Sequence, residues 1–226
     1  MTIIAIDGPA ASGKSTIARV VAQKIGWKYI NTGSIYRCLA YLVGDELSDE
    51  LPIEILESAC LRIQHSLEFK DDSIFFEHQD IKKKLMSNEI SHGASLLGNR
   101  IEVRELLLPI QRQYAERYQN IILDGRDIGT VVFTEAQLKI FLTASLEVRS
   151  QRRFLELSSK SGDTVSLEDI QKKIFSRDRM DTRRKIAPLQ PAKDAWVLDS
   201  TFMGIEALCD MIIQEIKNRK LISFVP

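Results

Sequence analysis

Gly8-Pro9-Ala10-Ala11-Ser12-Gly13-Lys14-Ser15 is the stretch on which the reading of this chain turns. It fits the spacing G-x-x-x-x-G-K-[ST], in which successive backbone N–H groups wrap an anionic phosphate. The glycines permit the tight backbone that such a wrap needs. Ile3-Ile4-Ala5-Ile6 stands just before it, a short β-branched run suited to a buried parallel strand. An amphipathic stretch from Ser15 to Lys24 follows and stops at Gly26; as a helix it aims its positive dipole end at the same phosphate. At average residue usage the pattern should arise by chance in about one in a hundred chains of this length. The strand before it and the helix after it set aside a plain glycine-containing surface turn. Lys14 is placed to reach the β- and γ-phosphates, Ser15 to ligate Mg²⁺, and the run from Gly8 through Thr16 to hold a triphosphate tail.

Outward from this loop the chain alternates strand and helix. Trp27-Lys28-Tyr29-Ile30, Ile121-Ile122-Leu123, Lys139-Ile140-Phe141-Leu142 and Trp196-Val197-Leu198 are four more apolar runs, which with the first make five strands. Helical periodicity covers 34–43, 53–62, 94–118 (with a break near Gly98-Asn99), 146–158, 167–181 and 203–220. Ser166-Leu167-Glu168-Asp169 has the form of a capping box. The alternation predicts an α/β fold of the P-loop NTPase type: a five-stranded parallel sheet with helices on both faces. One segment departs from it. Ile63, His65, Leu67 and Phe69 alternate with polar residues, and Lys70-Asp71-Asp72 turns the chain into Ser73-Ile74-Phe75-Phe76-Glu77. Residues 63–78 therefore read as an antiparallel hairpin, a small sheet within an insert. The expected organisation is one domain: a core of 1–36, 91–156 and 167–226, an insert over 37–90, and a polar linker over 157–166.

The 31 basic and 31 acidic residues cancel, which argues against a general nucleic-acid partner but leaves room for a local cationic site. Hydrophobic content of 44% and charged content of 27% are those of a soluble folded chain, and no apolar run is long enough for a bilayer. Met1-Thr2-Ile3-Ile4-Ala5-Ile6 lacks a basic leader segment, so a cytoplasmic home and no membrane partner are expected. Cys38, Cys60 and Cys209 have no metal-ligand spacing and read as reduced packing residues. His65, His78 and His92 are scattered and read as surface or packing histidines. Nothing in the sequence demands more than a monomer.

Ile121-Ile122-Leu123-Asp124 ends an apolar run in a carboxylate. In a parallel sheet such an acid lies beside the loop after the first strand, where it can hold Mg²⁺ or its water shell. Asp-Gly also makes plain turns; the neighbouring P-loop favours Asp124 as a magnesium partner. Thr32-Gly33-Ser34-Ile35-Tyr36-Arg37 follows the second strand and starts a helix, with Arg37 one turn in and able to fork onto phosphate oxygens. Asp124-Gly125-Arg126-Asp127 puts an arginine and a carboxylate just beyond the third strand. Arg177, Asp178, Arg179, Asp181, Arg183 and Arg184 gather at a helix end, where a solvated surface with pairs such as Arg177–Asp181 would ordinarily explain them. Phosphoryl transfer needs several cations around the moving group, because its charge spreads over its oxygens. That need favours function for Arg37, Arg126, Arg177 and Arg184 and leaves Arg179 and Arg183 to the surface.

Taken in order, these segments resemble the bacterial-type cytidylate kinases, a family of P-loop nucleoside monophosphate kinases. The matching pieces are Ile6-Asp7-Gly8-Pro9, Thr32-Gly33-Ser34-Ile35-Tyr36-Arg37, Asp124-Gly125-Arg126-Asp127-Ile128-Gly129-Thr130-Val131-Val132-Phe133 and Lys139-Ile140-Phe141-Leu142, then Arg177-Asp178, Ile186-Ala187-Pro188-Leu189 and Leu198-Asp199-Ser200-Thr201. The resemblance spans nearly the whole chain. It implies ATP with Mg²⁺ at residues 8–16, and CMP or dCMP as acceptor. It implies Arg37, Arg126 and Arg184, with Lys14, around the acceptor phosphate and the transferring group, and Thr32 at the substrate. Ser95, Arg104 and Asp127 would read the cytosine edge, and Arg177 and Asp181 would hold the ribose. The hairpin would belong to the monophosphate-binding insert, and 157–166 would be a short lid over ATP. A cytosine edge sets an amino donor beside two acceptors, which a carboxylate such as Asp127 and a donor such as Arg104 complement. Two positions depart from the family pattern: Asn31 stands where an acid is common, and Met86 where an arginine is expected.

The expected reaction is in-line transfer from MgATP to the 5′-phosphate of CMP or dCMP, carried by positioning and charge neutralisation without a dedicated base. Two alternatives stand beside it. One is a kinase for UMP or another small acceptor. The other is a GTP-dependent switch, which would need a guanine-reading Asn/Thr-Lys-x-Asp motif that the sequence lacks.

Overall fold

The computed structural model of the chain describes residues 1–48, 51–70, 72–158 and 166–222. In chain order the elements are β1 (Thr2–Asp7), α1 (Lys14–Ile25), β2 (Lys28–Asn31), α2 (Gly33–Val43), α3 (Ile53–Ser66), β3 (Leu67–Lys70), β4 (Ser73–Phe76), β5 (Gln79–Asp80), α4 (Lys82–Leu85), α5 (Asn88–Leu97) and α6 (Ile101–Glu116). They continue with β6 (Asn120–Gly125), β7 (Leu138–Thr143), α7 (Leu146–Ser158), α8 (Leu167–Arg183), β8 (Trp196–Asp199) and α9 (Ile205–Asn218). Short helical turns occupy Gly44–Glu46 and Ile128–Val132. No helix among the described residues is long and apolar enough to cross a membrane.

The chain forms two compact units: Met1–Tyr29 with Tyr118–Pro226, and Ile30–Arg117. The larger is built on the five-stranded sheet of order β2-β6-β1-β7-β8. β1 runs parallel to β6, with Ile6 opposite Asp124, and parallel to β7, with Ile6 opposite Ile140. β7 runs parallel to β8. Five successive residues of β1, Ile3 to Asp7, are buried, the signature of a strand covered on both faces. On one face Ile4, Ile6, Ile122, Leu138, Ile140 and Leu142 pack against Ile17, Val21 and Ala22 of α1 and Leu208, Ile212 and Ile216 of α9. This core fixes the strand ends from which the loops after β1, β6, β7 and β8 emerge.

The smaller unit joins helices α2 to α6 to an antiparallel sheet of order β3-β4-β5. Here the structure differs from the sequence reading in three places. Residues 63–66 are the last turn of α3, not the start of a strand. Leu56, Ala59, Cys60 and Ile63 are buried together at spacings of three and four, so Ile63 also satisfies the helical period. The Tyr114 hydroxyl lies 3.0 Å from the Ile63 carbonyl and 2.5 Å from that of Leu67, clasping the point where helix becomes strand. The hairpin gains a third, two-residue strand at Gln79–Asp80, and a short helix follows at Lys82–Leu85. The expected break in the long helix falls at Gly98, Asn99 and Arg100, and α6 carries Pro109 in its interior. The linker read as a lid lies, from 159 to 165, outside the described residues.

Candidate active site

The loop after β1 turns through three left-handed backbones, at Gly8 (φ 150°), Ala11 (φ 58°) and Gly13 (φ 91°). Its carbonyls are held by donors around it. Pro9 accepts from Lys14 Nζ at 2.7 Å, Ala10 from Arg149 Nη1 at 3.0 Å, and Ser12 from Ser200 Oγ at 3.3 Å and Arg152 Nη1 at 3.4 Å. Arg152 is itself fixed on Ser200, through Oγ at 2.9 Å and the carbonyl at 2.7 Å. A loop whose carbonyls are engaged on side chains is free to present its N–H groups elsewhere, which is what an anion cradle requires.

Lys14 is buried at the first turn of α1, and its Nζ also lies 3.4 Å from Ser12 Oγ. Burial holds its pKa well below the usual lysine range, and the nearby Arg126 and Arg177 push the same way against the opposing pull of Asp124 and Asp7. Ser15 Oγ donates to Asp124 Oδ2 at 2.8 Å, and the Tyr29 hydroxyl donates to Asp124 Oδ1 at 2.7 Å. Asp124 thus stands at the end of β6, directly across from the P-loop serine, as the sequence led us to expect.

Beyond β6 the expected substrate residues of the larger unit come together. Arg126 Nε lies 2.9 Å from Asp181 Oδ2. Arg184 sits 3.7 Å from Asp181 and 3.8 Å from Asp127, and its Nε donates to the Ala187 carbonyl. Burial would raise the Asp181 carboxyl, but Arg126, Arg177 and Arg184 together hold it below the usual range. Asp127 is fixed from behind: Asp7, the residue before Gly8, accepts the N–H groups of Ile128 and Gly129 at 2.8 Å each. Arg179 and Arg183 are exposed, as expected.

The remaining expected site residues belong to the smaller unit. Thr32 is buried at the start of α2, with Arg37 one turn in. Ser95 lies on α5 and donates its hydroxyl to the Ser91 carbonyl at 3.0 Å. Arg104 is buried on α6, donates to the Gly98 carbonyl at 3.1 Å and stands 5.8 Å from the centre of the Tyr36 ring. Asn31, one of the two departures from the family pattern, accepts from Ser34 Oγ at 3.1 Å.

Comparison with known proteins decides the lineage. The sequence model of the family described as cytidylate kinase matches residues 4–218. A cytidylate kinase of Thermotoga neapolitana is 44% identical over 217 residues, covering 96% of this chain and 97% of the relative. A cytidylate kinase of Pseudomonas syringae pv. tomato is 40% identical over 97% of this chain and 96% of its own. The chain belongs to the cytidylate kinase family. Solved structures agree on the fold alone. A shikimate kinase from Acinetobacter baumannii has a TM-score of 0.50 at 14% identity, covering 98% of this chain and 96% of its own. The Thermus thermophilus protein TT1252 has a TM-score of 0.51 at 17% identity, covering 98% of both chains.

Several residues around this cytidylate kinase family loop were not singled out from sequence. Arg149 and Arg152 were not named, and Asp7, Tyr29, Asp178 and Ser200 were quoted without a role. Their partners lie far along the chain: Asp7 and Gly129 are 122 positions apart, Ala10 and Asp178 are 168. The usable signal was an acid immediately before the first P-loop glycine, and an Arg-Asp dipeptide in which the aspartate had no helical partner. The donor set at Ser15 and Asp124, one hydroxyl and one carboxylate opposed at 2.8 Å, suits Mg²⁺, a hard ion that takes one or two protein oxygens and completes its shell with phosphate oxygens.

Proposed function

We propose that this chain transfers the γ-phosphoryl group of ATP to the 5′-phosphate of CMP and dCMP, giving CDP and dCDP. The observation that carries the reading is Lys14, buried at the first turn of α1 beside the Ser15–Asp124 pair and held below the usual lysine range first by burial and then by the charges of Arg126 and Arg177. Like charges drawn together in low dielectric repel. Polyphosphate anions among them turn that repulsion into attraction.

Residues Gly8 to Thr16 hold the triphosphate, with Lys14 on the β- and γ-phosphates. Ser15 and Asp124 hold Mg²⁺, whose charge offsets that of the triphosphate when bound. Arg37, Arg126 and Arg184 grip the acceptor phosphate and the transferring group. Arg177 and Asp181 hold the ribose, Thr32 contacts the acceptor, and Ser95, Arg104 and Asp127 read the cytosine edge. An oxygen of the acceptor phosphate attacks the γ-phosphorus in line, the bond to the β-phosphate oxygen breaks, and ADP leaves. The attacking oxygen is already anionic at neutral pH, so no side chain need remove a proton. The chain works as a cytoplasmic monomer, and it takes no nucleic-acid partner.

A coupled assay of ADP release with CMP, dCMP, UMP, AMP and GMP tests this. CMP and dCMP should be turned over fastest. UMP, AMP or GMP performing as well as CMP would overturn the base assignment. ATP hydrolysis unaffected by any acceptor would overturn the kinase reading itself.

A further inference from the structure

Ala10 is gripped at both ends of its residue. Its N–H donates to Asp178 Oδ1 at 3.0 Å, and its carbonyl accepts from Arg149 Nη1 at 3.0 Å. The two gripping side chains hold each other, since Arg149 Nη1 also donates to Asp178 Oδ2. Arg149 is further pinned by its Nε on the Ala144 carbonyl at 2.9 Å. Its side chain is 9% exposed and that of Asp178 17%. Arg149 comes from α7 and Asp178 from α8. Beneath them Ala10, Ile170 and Ile174 form a small apolar cluster that takes in Ala11, Leu146, Phe154 and Leu157. That cluster already docks both helices on the loop without any charge.

Burying an arginine–aspartate pair is costly unless its hydrogen bonds are filled, and apolar residues often serve packing equally well. Here the pair is completed by one residue of the phosphate loop. A loop amide serves an anion by its direction, and a rotation of one peptide unit replaces an N–H by a carbonyl at the same spot. Fixing both the N–H and the carbonyl of Ala10 leaves no such rotation to the two peptide units that flank it, Pro9–Ala10 and Ala10–Ala11. We propose that Asp178 and Arg149 are positioning residues for the donor triphosphate: by clamping Ala10 they set the loop so that its remaining amides converge on the phosphates. This deepens the proposed function and rests on the loop being the ATP site.

The test uses the full chain with Asp178→Ala, Asp178→Asn, Arg149→Met and Arg149→Lys. A control, Lys172→Ala, breaks an exposed pair with Glu168 on the same helix. The Kd for ATP, the KM for ATP and for CMP, kcat, and the ligand-free melting temperature are measured for each. Asp178→Ala and Arg149→Met are expected to weaken ATP roughly 10- to 100-fold, the size of a lost charge-assisted hydrogen bond, with the KM for CMP little changed. Arg149→Lys, which keeps a charge and a donor, should recover part of the loss, as should Asp178→Asn, which keeps an acceptor for Ala10. The double variant Asp178→Ala/Arg149→Met should cost less than the two single losses combined. A lower melting temperature with unchanged ATP affinity would reduce the pair to packing and overturn the inference. So would equal weakening of ATP and CMP. If the unmodified chain bound no ATP, the loop reading itself would fall and this inference with it.

Discussion

A Cβ built on Gly8 would stand 2.0 Å from the Leu142 carbonyl oxygen, and the residue's φ of 150° is one that L side chains rarely adopt. The neighbour is backbone of a central strand and has nowhere to go. Gly8→Ala should therefore destabilise the chain by about 3 kcal/mol or more, combining left-handed strain with a backbone clash, and urea unfolding should read this as a lowered midpoint. Asp7, one position earlier, carries a pH dependence. Burial pushes its carboxyl up to about 7 from 3.8; Asp127 adds to the rise, while the Gly129 and Ile128 N–H groups and Lys14 oppose it. The folded state then holds this proton more tightly than the unfolded one between those values. Its contribution to stability is complete below pH 3.8 and is lost as pH rises through about 7. Against Asp7→Asn, which cannot titrate, the wild-type urea midpoint should lose ground steadily across that interval. A constant difference would mean that the two N–H bonds outweigh burial and keep the carboxylate ionised. Lys14 and Ser15 could be read from spacing alone because a phosphate loop is local. Asp7 could not, because its meaning comes from amides more than 120 positions away.

At the level of elements, α8 begins at Ser166, whose Oγ accepts the Asp169 N–H at 3.0 Å and lies 2.7 Å from Asp169 Oδ2. Helix starts leave N–H groups without partners, and a serine cap satisfies one of them. Ser166→Ala should cost about 1 kcal/mol, seen as a lower urea midpoint with the helical content of the folded chain preserved; no loss would mean that water caps this end as well as serine does. The cap was legible because it is written in four consecutive residues. So was the break at Gly98, where α5 ends and the chain re-enters a helix at Ile101. The end of α3 was not. Ile63, His65, Leu67 and Phe69 alternate as a strand would, yet Ile63 also falls in step with Leu56, Ala59 and Cys60 as a helix requires. Two periods share the same residues there. The choice is made by Tyr114, whose hydroxyl meets the carbonyls of both Ile63 and Leu67 from another helix.

Over the whole molecule charge cancels, with 31 residues of each sign, so the cationic place around Lys14 is a local arrangement and not a consequence of bulk charge. Sequence order made the sheet legible because each strand carries a separate apolar run. Arg126 and Arg184 were singled out by the need for cations around a phosphoryl group, but their grouping with Asp127 and Asp181 was legible only through the family resemblance, since these residues lie up to 58 positions apart and meet through the fold. A ligand that binds the folded chain and not the unfolded one stabilises it by mass action. At ATP a hundred times its Kd that gain is about 2.7 kcal/mol, a rise of roughly 5–10 °C in Tm for a chain of this size. Because the chain forms two compact units, a melting curve mixes their responses. Hydrogen exchange separates them: ATP with Mg²⁺ should slow exchange most in residues 8–16 and the first turn of α1. Lys14→Met should abolish most of both effects, since it removes the cation that ATP would otherwise relieve from its repulsion with Arg126 and Arg177. A full thermal shift in Lys14→Met, with protection appearing elsewhere in the chain, would place the triphosphate outside the loop between β1 and α1.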